Sequence, residues 1–137
     1  MTTLAIDFGT SNTAAAWLDD QQRARVAAVR DGVYLMPTVA WYGAGGHVLV
    51  GQPTRQQLID DPKNTVTGLK RFLGRRFDSP FVHQHKNRFS YEVVAGPTGT
   101  CAVKLGDAVK SLEDVAVDVL KRIVELATIS HQAPFDD

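Results

Sequence analysis

The sequence is short of several things, and each shortage closes off a class of function. Cysteine occurs once, at Cys101, in 137 residues. One thiol forms no intrachain disulfide and no multi-thiolate metal site, so Cys101 is expected as a small, part-buried residue of a strand. Histidine occurs four times, at His47, His83, His85 and His131, and none stands at zinc-site spacing with carboxylates. His83 and His85 are expected on the solvated flank of a helix. Net charge is missing too: 15 basic and 15 acidic side chains cancel, which leaves no long-range field to draw the chain toward nucleic acid or an anionic membrane. Any phosphate it binds has to be held by local geometry. No apolar run approaches the ~20 residues that span a bilayer. Met1-Thr2-Thr3 carries no basic side chain and the stretch Leu4-Ala5-Ile6 stops at Asp7, unlike a secretory signal. A reducing cytoplasm is the expected location.

What is present reads as one domain's worth of chain with alternating strands and helices. Residues 3–8 are short and apolar, as a buried strand should be. Residues 13–18 and 24–30 are two further strands, separated by the polar turn Asp19-Asp20-Gln21-Gln22. Three strands on short turns make an antiparallel meander, because parallel neighbours need long crossovers. Pro37 opens an extended stretch over 38–42, and 47–50 returns as a strand. Residues 51–61 are expected to be helical, with Pro53 in the first turn. Asn64-Thr65 can cap a short helix through Leu69, Lys70, Phe72 and Leu73, stopped by Gly74. Ser79-Pro80 can start another toward Lys86. Residues 89–95 and 100–105 flank Gly96-Pro97-Thr98-Gly99 and read as a hairpin. Ser111, with Asp114 three residues on, is the N-cap of the clearest helix. Its apolar stripe is Leu112, Val115, Val119, Ile123 and Leu126.

The chemistry concentrates in Asp7-Phe8-Gly9-Thr10-Ser11-Asn12-Thr13. A turn between strands that exposes successive N–H groups forms a concavity for anions. Gly9 lets a phosphate approach the backbone, and Thr10, Ser11, Asn12 and Thr13 add short donors. Asp7 ends the first strand with a hard carboxylate suited to magnesium held through water. A plain β-hairpin explains the same residues, since Asp, Gly, Asn and Ser are ordinary turn formers. Two details favour a ligand. The turn holds four consecutive small polar residues where a minimal hairpin needs about two, and an acid ends an otherwise apolar strand. It is not a Walker A loop, because no Gly-Lys-Ser/Thr comes after it. A second basic segment runs from Asn64 to Phe77; its spacing leaves open which of Lys70, Arg71, Arg75 and Arg76 faces a ligand.

Taken together these segments become specific. The stretch from Ala5 to Thr13 resembles the first phosphate motif of the actin, hexokinase and Hsp70 superfamily. Gly51-Gln52-Pro53, Pro62-Lys63-Asn64-Thr65 and Leu69-Lys70-Arg71-Phe72-Leu73-Gly74-Arg75-Arg76-Phe77 resemble the Hsp70 branch in particular. Residues 91–94 and the helix after Ser111 continue the match more loosely. The resemblance implies an α/β chain of the ribonuclease H-like (actin/hexokinase/Hsp70 ATPase) fold. It also implies a truncated first lobe: residues 1–36 and 111–137 in the core subdomain, residues 37–110 as an inserted α/β subdomain. It places Gly9, Thr10, Ser11, Asn12 and Thr13 at the β- and γ-phosphates of ATP or ADP, Asp7 at magnesium, and Lys70 in the catalytic role at the γ-phosphate. Phe8, Ser11 and Thr13 depart from the commoner Leu, Thr and Ser, which points to a divergent member.

Hsp70-like proteins pair this motif with a second Gly-rich phosphate turn, an adenosine pocket and a peptide-binding domain, none of which is in the sequence. The chain is therefore expected to be a fragment of an ATP-hydrolysing folding chaperone, whose partners are unfolded client polypeptides and co-chaperones. Two other readings stand beside it. One is a non-catalytic module with weak or no nucleotide binding; the other is a sugar-kinase-like relative. An uncovered strand edge and apolar face further lead us to expect self-association.

Overall fold

In the computed structural model, residues 2–136 are described. Short apolar stretches cut by Asp, Gly and Pro become ten short strands among these residues, grouped in three antiparallel sheets. The first sheet holds β1 (Ala5–Phe8), β2 (Asn12–Leu18) and β3 (Ala24–Val26) in that order, with β4 (Met36–Pro37) pairing the start of β2. This is the expected meander, with Asp7 opposite Ala14 and Phe8 opposite Thr13. The second sheet sets β5 (Ala40–Tyr42) between β6 (Val48–Val50) and β7 (Thr65–Val66). The third is the meander β8 (Glu92–Ala95), β9 (Cys101–Leu105) and β10 (Ala108–Ser111).

One helix closes the structure. The helix α3 (Leu112–His131) comes after two shorter ones, α1 (Gln57–Asp60) and α2 (Pro80–His85). The Ser111 hydroxyl accepts from the Asp114 amide at 3.1 Å, which is the expected N-cap. At the far end Gln132 adopts φ 63° and its N–H returns to the carbonyls of Thr128 and Ile129, a left-handed C-cap filled without glycine. Leu112, Val115, Val119 and Ile123 are fully buried, and Ala116 and Ala127 widen the stripe. The helix contacts β2 in the first sheet, β5 and β6 in the second, and β9 and β10 in the third. Asp118 ties it to two of them: Tyr42 Oη donates to its carboxylate at 2.6 Å and Lys110 Nζ lies at 3.2 Å. Burial and the Asp118 charge together push the Tyr42 phenol far above its ordinary range.

Several expectations need correction. β1 is not buried: Ala5, Ile6 and Asp7 are exposed and only Phe8 is half-buried, because β1 is an edge strand with a single neighbour. The strand expected over 24–30 ends at Val26; a tight turn joins Arg30 to Val33 instead. Residues 51–61 split into a 3-10 turn over Gln52–Arg55 and then α1. Thr65 does not cap a helix. It and Val66 pair with Trp41 and Ala40 in the second sheet, and the Thr65 hydroxyl donates to the Asp61 carbonyl at 2.8 Å. Burying Val66 completely outweighs the local capping preference. In place of the expected helix stands a single 3-10 turn, Leu69–Arg71, and Gly74 does take the positive φ of 74° expected of a stop. β10 is a strand beyond the expected hairpin, and β8 begins at Glu92 rather than at residue 89. His83 is exposed as expected, whereas His85 is half-buried against the Phe81 ring, 4.3 Å between centroids. Cys101 is fully buried in β9.

Candidate functional site

The turn after β1 is built from the backbone upward. The Phe8–Thr13 pair ends the β1–β2 ladder, and the Gly9 N–H then donates to the Asn12 carbonyl at 3.0 Å. A Cβ at Gly9 would lie 2.3 Å from that carbonyl oxygen, so the closure needs glycine. Between them, the amides of Thr10 and Ser11 have no backbone acceptor among the described residues. Thr10, Ser11 and Asn12 are exposed. The turn thus offers two consecutive free N–H groups with hydroxyls beside them, the arrangement that holds an anion oxygen. Thr13 is different. It is fully buried, and its hydroxyl shares a 2.8 Å hydrogen bond with that of Thr38. The Thr38 amide also donates to the Ser11 carbonyl at 3.0 Å. Thr38 therefore holds the turn from beneath, a role its place in an extended stretch gave no means of seeing.

Lys70 reaches this turn from far away in sequence. Its Nζ donates to the Phe8 carbonyl at 2.7 Å and sits 5.4 Å from the centre of the Phe8 ring. Of the four basic residues 70, 71, 75 and 76, it is the one seated at the end of β1. Arg75 instead lies 3.9 Å over the Phe81 ring, and Arg76 pairs with Asp78. Phe8, the departure from leucine, supplies both the carbonyl and the aromatic face that hold the ammonium. Asp7 alternates to the opposite face of β1 and is exposed, with no partner among the described residues. No group of three or more acidic, histidine or cysteine side chains that could hold a metal occurs among them either. One free carboxylate suits magnesium bound mainly by water and does not fit an all-protein cage.

A cavity of about 500 Å³ opens beside the turn, lined by Thr10 and Ser11 together with Thr67, Gly68, Arg71 and Arg88. The Thr67–Gly68 wall is fixed by Tyr91, whose hydroxyl donates to the Thr67 carbonyl at 2.5 Å. Burial drives the Tyr91 phenol well above its ordinary range, with the nearby Arg71 charge pulling the other way. Gly68 takes φ 57°, and a Cβ there would come within 3.0 Å of the Phe89 ring.

Strand, turn and lysine thus meet in the order their motifs run along the sequence. The family model described as Hsp70 protein matches residues 3–134, a span that holds the turn, Lys70, all three sheets and α3. With it comes the actin/hexokinase/Hsp70 ATPase fold, consistent with the α/β arrangement of antiparallel sheets and closing helix. The chain belongs to the Hsp70 family.

Proposed function

We propose that the chain supplies the first phosphate-binding turn and the catalytic lysine of an ATP-hydrolysing folding chaperone. The observation that carries this is the Lys70 ammonium at 2.7 Å from the Phe8 carbonyl, beside the free amides of Thr10 and Ser11. A cation and two oriented N–H groups at one strand end are what a terminal phosphate needs, since phosphoryl transfer depends chiefly on positioning and charge stabilisation. In this reading Gly9 admits the phosphate, Thr10, Ser11 and Asn12 donate to its oxygens, and Thr13 acts through Thr38 to keep the turn in shape. Lys70 exchanges the Phe8 carbonyl for the γ-phosphate and orients the attacking water. Asp7 would hold magnesium through water, and the metal would supply charge neutralisation. In the working chaperone the partners are unfolded polypeptides and co-chaperones, in a reducing cytoplasm.

The test is ATP turnover by the longest protein that carries this chain, native against Lys70→Ala. Near-complete loss is expected, and turnover that survives the substitution removes Lys70 from its role. A second reading, a non-catalytic module, is favoured for the 137 residues alone. Thr10, Ser11 and Asn12 are exposed, and donors that leave most of a ligand in solvent hold a nucleotide weakly. Calorimetry with Mg-ATP separates the two: affinity at the micromolar level or tighter excludes the module reading.

A further inference from the structure

The chain is neutral as a whole, yet its charge is unevenly spread. Residues 63–88 hold seven of the 15 basic side chains and one acid, Asp78. The remaining residues hold eight basic and 14 acidic side chains. A run of cations is ordinarily a solvated face, but two of these are seated. The Arg75 guanidinium carbon lies 3.9 Å from the centre of the Phe81 ring, and Lys86 Nζ lies 4.9 Å from that of Phe77. The two rings flank Ser79, the N-cap of α2. A ring holds a cation in place without neutralising it. Arg75 Nε donates to the Arg71 carbonyl at 2.9 Å, which leaves both terminal amino groups without a bond among the described residues. Neither Arg75 nor Lys86 has an ion pair among them, although Arg23, Arg25, Lys110 and Arg122 all do. Glu92 lines a small cavity with Phe77 and Lys86 but forms no ion pair with the lysine. Arg76 pairs with Asp78 at 3.3 Å, but these side chains are 63% and 72% exposed, so the pair is weak and open to exchange.

The chemistry of a partner follows from what this surface offers and what it withholds. Cations fixed in advance take carboxylates at low entropic cost, and a guanidinium takes them in bidentate pairs. The Phe77 and Phe81 rings are already engaged, by the two cations and by His83 and His85 at 5.7 and 4.3 Å between centroids. They are not free to stack on the bases of a single strand. No large apolar side chain of residues 63–88 is exposed, which leaves nothing to enter a bilayer. We propose that Arg75, Arg76 and Lys86 form a docking surface for an acidic polypeptide, a segment rich in Asp and Glu. The surface uses neither Lys70 nor the Thr10 and Ser11 amides, so it stands apart from the phosphate-binding turn.

The experiment measures binding of a fluorescent polyglutamate peptide to the whole chain by anisotropy, with polyglutamine and oligothymidylate of equal length as comparisons. Polyglutamate is expected to bind, more weakly as salt rises, and polyglutamine is not. Arg75→Gln combined with Lys86→Gln should weaken binding about tenfold, as the loss of two exposed charge pairs implies. Arg55→Gln combined with Lys121→Gln removes the same charge from two exposed positions elsewhere and should change little. Arg75→Lys with Lys86→Arg keeps both charges and should keep binding, a result that does not depend on how the neutral variants fold. Equal losses in the two neutral pairs overturn the proposal in favour of net charge alone. Tighter binding of oligothymidylate with the same dependence on Arg75 and Lys86 overturns it in favour of a nucleic acid. Absence of polyglutamate binding overturns it outright, and each of these failures leaves the reading of the turn standing.

Discussion

Thr13 and Thr38 show what a single buried pair can do for an exposed turn. Each hydroxyl satisfies the other, 25 residues apart in sequence and away from water. Thr13→Val leaves Thr38 unpaired at a cost of about 1–3 kcal/mol, while the double replacement by valine should recover much of it. Urea unfolding of the two single variants and the double variant measures the coupling, and strictly additive losses exclude it. Asp19 is a second case. Its carboxylate accepts from the Arg23 amide, and from the Gln21 amide and the Arg23 and Arg25 guanidinium groups. The Arg23 amide is the largest influence that lowers it, against some desolvation, and the carboxyl falls from 3.8 to about 2. A lowered folded-state value means its support for the β2–β3 turn is full above pH 3.8 and fades toward about 2. A carboxyl titration by NMR with its midpoint near 3.8 contradicts this. At this scale the sequence was partly legible. Asp7 to Thr13 announced themselves by residue type, but Lys70 could be separated from Arg71 only by the family resemblance. Phe8 and Thr38 act through a carbonyl and an inward-facing hydroxyl, which residue type does not reveal.

Among the elements, legibility tracked length and periodicity. α3 repeats its apolar stripe over 20 residues, long enough for cap and face both to show in the sequence. Ser111→Ala removes the side chain that accepts the Asp114 amide and should cost about 1 kcal/mol. Thermal unfolding measures it; an unchanged midpoint shows that water replaces the cap without loss. β7 lies at the other extreme. Two residues, Thr65 and Val66, carry no period, and a capping pattern is the stronger local signal. Only β5, more than twenty residues earlier, makes them a strand. β10 was hidden for a related reason: Ala108 and Val109 are exposed at a sheet edge, so burial imposes no alternation on them.

For the whole molecule the outstanding feature is the face of the first sheet turned away from α3. Cross-strand partners share a face, so Ala5, Ala16 and Val26 lie together, as do Leu18 and Ala24. Leu18 and Val26 are 52% and 49% exposed, beside Ala5, Ala16 and Ala24, with the Asp7 carboxylate at the far end of the same face opposite Ala14. The isolated chain should therefore associate as its concentration rises, and Leu18→Lys combined with Val26→Lys should restore the monomer. Light scattering over a concentration series decides it, and a native chain that stays monomeric throughout rules it out.

The reach of α3 has a consequence in time as well as in space. Ala15 on β2 and Val115 on α3 belong to one core, yet 100 residues of synthesis separate them. At about 5–20 residues per second that is a wait of roughly 5–20 s. For that interval the nascent first sheet has neither face covered, and folding of the lobe cannot finish before its last helix is made.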